Sequence, residues 1–179
     1  MASSKSQMWW MAPLLVGPVV SVQAVCEVYM SGEQAAEGFF PGLKFSKKKL
    51  SLSAEDIAAI EKASGETVRN KELEVLRGPH GETVYIDQVL GKHEFITYAV
   101  GIDGAGKVKG LEILEYRESY GHEVRRPAWR NQFTGKDVSA AFKVDDDIKS
   151  ISGATMSSVH ITRGVKRVLH SHAFFAKRI

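Results

Sequence analysis

The chain has 179 residues, 44% of them hydrophobic and 25% charged, with 24 Lys and Arg against 21 Asp and Glu and a formal net charge of +3. This is the composition of an ordinary folded chain with enough apolar material for a core, and one domain's worth of length is the default. The mixed charge excludes a nucleic-acid footprint, which needs a clustered basic face, and a single cysteine excludes an internal disulfide framework and c-type haem attachment.

Residues 1–24 read as a secretory signal. Lys5 is followed by an apolar run from Met8 to Val22, and Val22-Gln23-Ala24 offers small residues before a cleavage point. Pro13, Gly17 and Pro18 interrupt the run, which is short for a membrane span. The expected location is therefore the periplasm or the extracytoplasmic face of a membrane. Cys26 follows Val25, where a lipidated cysteine calls for a small neighbour, so a free thiol is expected.

Residues 25–80 are expected to form an N-terminal helical extension. Ser31 with Gln34, and Ser53 with Asp56, have the spacing of capping boxes at the starts of two short helices. Ile57 and Ile60 share the inner face of the second, and Gly65 is its stop. Lys47-Lys48-Lys49 reads as a solvated loop. Thr67 to Leu76 is a candidate first strand.

Beyond residue 80 the apolar period becomes two. Strands are expected over 83–90, 94–102 and 107–116, with a turn at Gly91-Lys92-His93 and a hairpin at Asp103-Gly104-Ala105-Gly106. Such a meander must bury one face against helices, which predicts an α+β fold: an antiparallel sheet packed on helices, with 81–179 as the principal domain. Next comes Glu118-Ser119-Tyr120-Gly121. Trp129 and Phe133, four residues apart, are expected to share a helix face in the core, and His122 to lie on the surface. Of the three consecutive acids, Asp145 and Asp146 read as solvated, because neighbours in sequence do not converge on one metal ion.

The densest chemical signal is Ser152-Gly153-Ala154-Thr155-Met156-Ser157-Ser158, ahead of an amphipathic run to about Leu169. It reads as a small-residue turn opening into a helix. Gly153 lets a ligand approach the backbone, and hydroxyls cluster where a helix leaves free N–H groups, which is a ready anion site. The plain alternative is that Ser152 or Thr155 only caps the helix. Arg163, Lys166 and Arg167 are expected on its outer side, and His170 and His172 in a fraying tail.

Ser152-Gly153-Ala154-Thr155 with Ser157-Ser158, preceded by Asp147-Ile148, resembles the signature of the FMN-binding domain family, whose members include flavin-carrying subunits of sodium-pumping NADH:quinone reductase and Rnf complexes. Glu118-Ser119-Tyr120-Gly121 is similar to that family's Glu-x-x-Gly element beside the flavin. The resemblance implies FMN held by a phosphoester on Thr155, attached from FAD by a flavin transferase. Ser152, Gly153, Ala154, Ser157, Ser158, Glu118, Tyr120 and Gly121 are then the other cofactor-binding residues. It implies membrane or periplasmic electron-transfer partners and a carrier rather than a self-sufficient enzyme, in keeping with the lack of a Gly-x-Gly-x-x-Gly nucleotide fingerprint. Many members have an acid three residues before the serine. Lys149 stands there in this chain, which favours the alternative of a module that holds FMN or another phosphorylated ligand without a covalent bond. A flavin reductase acting on an exported small molecule is a third reading.

Overall fold

The computed structural model describes residues 27–176. The signal-peptide and Cys26 expectations fall outside that range. Six strands form one antiparallel sheet: β1 (Glu27–Val28), β2 (Ser46–Ser51), β3 (Glu72–Arg77), β4 (Thr83–Leu90), β5 (Phe95–Ile102) and β6 (Val108–Tyr116). Their order is β1-β6-β5-β4-β3-β2. The helices are α1 (Gly32–Phe39), α2 (Ala54–Ser64), the single-turn α3 (Pro127–Arg130) and the long α4 (Thr155–Phe175). The fold is α+β, as the periodicity requires. None of the described helices is long and apolar enough to cross a membrane.

Period-two strands place alternate residues on opposite faces. Tyr85, Val89, Tyr98, Val100 and Ile113 join the core shared with α2 and α4. Val84, Ala99 and Leu114 join a smaller core on the other face, closed by Ala35, Ala36, Phe39 and Phe40 of α1 and the turn after it. Gly101 and Gly110 face each other across β5 and β6. A Cβ on either would stand 2.6 Å from the Phe39 ring, so the paired glycines make the hollow that seats it.

Both capping boxes are formed. Ser31 Oγ accepts the Gln34 N–H while the Gln34 side chain accepts the Ser31 N–H, and Ser53 and Asp56 do the same. Gly65 ends α2 in the left-handed region. Residues 27–77 nevertheless carry strands as well as helices, and the sheet runs across residue 80. The solvated-loop reading of Lys47-Lys48-Lys49 is corrected: these residues are the middle of β2, paired in register with β3. β2 is an edge strand, where lysines discourage pairing with another chain. Lys47 also pairs with Glu74 at 2.6 Å.

α4 lies on the sheet through Ile161, Val165, Val168 and Leu169. Gly164 is the point of closest approach, since any Cβ there would run into the Tyr98 hydroxyl. Arg167 corrects the outer-side reading. It reaches inward, with Nη2 donating to Asp87 Oδ2 at 2.6 Å, and the Tyr98 hydroxyl donates to the same oxygen at 2.7 Å. The tail reading of His172 is also corrected. α4 continues past it, and its ring is buried with Nδ1 at 3.2 Å from the Tyr85 hydroxyl. Burial, then the nearby Arg77 charge, lowers the His172 pKa to about 4.

Candidate functional site

The start of α4 meets the ends of two β-segments at a cleft of about 650 Å³, lined by 92–94, 117–120 and 153–157. Ligand sites run from about 300 to 1,000 Å³, so the space suits a molecule of flavin size. Residues widely separated in the chain, Glu118-Ser119-Tyr120 and Gly153-Ala154-Thr155, line it together.

No side chain caps α4. Its N-cap is Ala154, so neither Ser152 nor Thr155 has the capping role. The first N–H groups of the helix therefore lack an intrahelical acceptor and face outward with the positive end of the helix dipole. Thr155 is the first helical residue and is exposed, and its hydroxyl has no hydrogen bond among the described residues. It also lines a second cleft of about 410 Å³, shared with Lys143, Arg163 and Lys166. Thr155 thus stands on the ridge between two openings.

The hydroxyls after Thr155 turn inward. Ser157 is buried, with its Oγ 3.0 Å from the Tyr116 hydroxyl, which donates to Tyr120 O at 2.6 Å. Burial raises the Tyr116 phenol, so it stays protonated and bridges strand, loop and helix. Gly121 sits against this bridge with φ +94°, and a Cβ would lie 2.6 Å from the Tyr116 hydroxyl and 3.1 Å from Ser157 Oγ. Gly121 thus closes the packing beneath the cleft and is absent from its lining. Ser158 is fully buried, with its Oγ lacking a partner, and does not line the cleft. Ser152 is exposed outside the lining.

Glu118 faces the cleft from below the β4–β5 turn. Its Oε1 accepts the N–H of His93 at 2.6 Å and of Glu94 at 3.1 Å. Burial works to raise its pKa, but the N–H groups of His93, Glu94 and Lys92 outweigh it and hold the carboxyl below the usual range. Gly91 leaves room for this carboxylate. Glu118 therefore fixes the turn that forms one wall. Tyr120, 84% exposed, and Met156, 49% exposed, are the apolar side chains at the opening.

Trp129 and Phe133 are in the core, as their spacing leads one to expect, edge to face at 5.1 Å between ring centres. Sequence reasoning missed what they brace. Trp129 Nε1 donates to Lys149 O at 2.8 Å, and Gln132 Oε1 accepts the Lys149 N–H at 2.8 Å. The chain entering the 152–155 turn is thus pinned by its backbone, while the Lys149 side chain is exposed and lines neither cleft.

Asp147 differs from its acidic neighbours. Its carboxylate accepts the Lys143 N–H at 2.7 Å and the Phe142 N–H at 3.2 Å, and it pairs with Lys136 at 3.1 Å. Burial opposes ionisation, but these donors prevail and lower its pKa. They hold a tight turn in which Phe142 and Asp145 take φ of +47° and +67°. Positive φ costs a bulky residue about 1–3 kcal/mol and persists only where surrounding contacts impose it. No group of His, Cys, Asp and Glu among the described residues has metal-site geometry.

No curated protein matches the sequence. The crystal structure of a Na(+)-translocating NADH-quinone reductase component from Parabacteroides distasonis is similar in fold, with a TM-score of 0.53 at 18% identity, covering 83% of this chain and 85% of that one. Residues 91–170 match the FMN-binding domain family. That span, which matches the FMN-binding domain family, contains the 92–94 turn, the Glu118 loop and the start of α4 together.

Proposed function

We propose that the protein carries FMN covalently, through a phosphoester on Thr155, and works as an exported electron-transfer carrier or accessory of a membrane redox system. The observation that carries this reading is the exposed, unbonded Thr155 hydroxyl at an uncapped helix start, on the rim of a flavin-sized cleft. With FAD as donor and a flavin transferase as catalyst, the Thr155 oxygen would bond to the FMN phosphorus and lose its proton. The pyrophosphate bond would break and AMP would leave.

The residues present fit the group. Helix N–H groups favour a phosphate at the start of α4. Tyr120 and Met156 offer apolar surface to a flat ring, and the Glu118-held turn fixes the part of the lining formed by 92–94. Bound FMN supplies exchange of one or two electrons, so it can join two-electron donors to one-electron acceptors. The protein's part is to hold it, orient it and tune it. The partners in this reading are the flavin transferase and membrane or periplasmic redox proteins. Residues 1–24 would deliver the chain to the periplasm or the outer face of the membrane.

Intact mass of the protein made together with a flavin transferase tests the reading, in wild type and Thr155→Ala. The wild type is expected to gain one FMN-sized adduct that survives denaturation, and the variant none. Lys149, in place of the family's acid, favours a second reading of reversible FMN or phospho-ligand binding. Yellow colour that leaves the chain on denaturation would select it.

A further inference from the structure

A smaller cleft, of about 180 Å³, opens along α4 beyond the flavin position. It lies between Glu66, Thr67 and Arg69 of the α2–β3 connector, the end of β4, and His160, Arg163 and Arg167 of α4. From Thr155 to His160 the helix rises about 7.5 Å and turns by about 140°, so His160 leaves a different side of α4.

Three guanidiniums and an imidazole meet one carboxylate in this lining. Arg167 is already fixed by Asp87 at 2.6 Å and by Thr67 O at 3.1 Å. Arg163 approaches Glu66 no closer than 4.0 Å. Arg69 is exposed and has no hydrogen bond or ion pair among the described residues. His160 buries Nδ1 with no hydrogen-bond partner, which leaves Nε2 as the nitrogen through which its ring can act. Arginine forks without matching carboxylates bind phosphate-like oxyanions bidentately. A recess below about 300 Å³ admits such an ion but no large ring system.

We propose that Arg69, His160 and Arg163 form a binding site for a small tetrahedral oxyanion: a phosphoryl group, free as inorganic phosphate or borne by a small phosphomonoester. The site shares no residue with the cleft proposed for the flavin ring, and shares Glu66 and Arg163 with the second cleft that Thr155 lines. Glu66 is the internal anion that competes for Arg163.

The test is an NMR titration of the full chain with sodium phosphate at constant ionic strength, against sodium chloride. The expected result is a saturable shift of the His160 ring protons and of amides near Thr67 and Arg163. Arg69→Ala or Arg163→Ala weakens binding about tenfold or more, since each removes a charge-assisted bond. Glu66→Gln tightens it, and Thr155→Ala leaves it unchanged. Repeating the titration with glycerol phosphate separates the sources: equal affinity marks a phosphomonoester site, and clearly weaker affinity marks a site for the free ion. Shifts that rise linearly, match those in chloride and persist in Arg69→Ala would overturn the proposal. Arg69 is exposed, so its variant keeps the test valid if Arg163→Ala fails to fold.

Discussion

The two halves of α4 treat polar groups in opposite ways. At its first turn the helix has no cap, and Thr155 presents an unbonded hydroxyl to a cleft. Further along, Arg167 sinks against the sheet and meets Asp87, which also accepts the Tyr98 hydroxyl. A helix end without a cap forgoes about 1 kcal/mol that a serine or aspartate would supply, and a ligand anion can fill the same role. A buried, hydrogen-bonded ion pair instead locks the register of helix on sheet. The second half is scaffold, and the first turn lines an open cleft.

Thr155→Ala breaks the comparison at its open end. We expect complete loss of covalent flavin with stability changed by no more than about 0.5 kcal/mol, because the side chain is exposed and supports nothing. Mass spectrometry and urea unfolding of the same sample measure both.

Asp87→Ala attacks the closed end. Removing one partner of a buried pair strands the other charge, and the expected cost is about 3–5 kcal/mol in urea unfolding. Flavin attachment on the surviving folded fraction should persist, since Asp87 is absent from the cleft lining.

Acid sharpens the contrast. His172 has its folded pKa lowered to about 4 from an ordinary value of 6.5, so the unfolded chain binds the extra proton first. Stability is then full above about pH 6.5 and falls as pH drops toward 4, by up to about 3 kcal/mol. His172→Gln should flatten that stretch of the curve. Glu118 and Asp147, both lowered, lose their contributions as pH falls further, through their folded pKa values.

Tyr116→Phe is the mildest test. It removes the hydroxyl shared with Tyr120 O and Ser157 at an expected cost of about 1 kcal/mol. Because that bridge sets the helix start against the Glu118 loop, slower flavin attachment should accompany it. An unchanged attachment rate would mean that the bridge is purely structural.

Much of this was legible where the cause is local. A serine three residues ahead of Gln34 or Asp56 carries its cap in the spacing, and the strands from 83 to 116 show their period directly. The strand at Lys47–Lys49 was hidden because its residues are solvent-facing lysines and its pairing comes from β3. Arg167 and His172 read as surface groups because their partners, Asp87 and Tyr85, are far away in sequence. At the candidate site, the resemblance brought Glu118 and Thr155 to attention, and the structure lines one cleft with both. The inward turn of Ser157 and Ser158 was not visible, because a run of hydroxyls does not reveal which lie on the buried face of a helix that meets the sheet only in three dimensions.

The most direct measurement is fragmentation of the tryptic peptide spanning 150–163, from protein made with a flavin transferase. It contains Ser150, Ser152, Thr155, Ser157, Ser158 and Thr162, so every competing hydroxyl is present in one fragment. The account predicts an FMN-sized mass carried on Thr155 alone. The same mass on Ser152, or a peptide with no added mass, would contradict it.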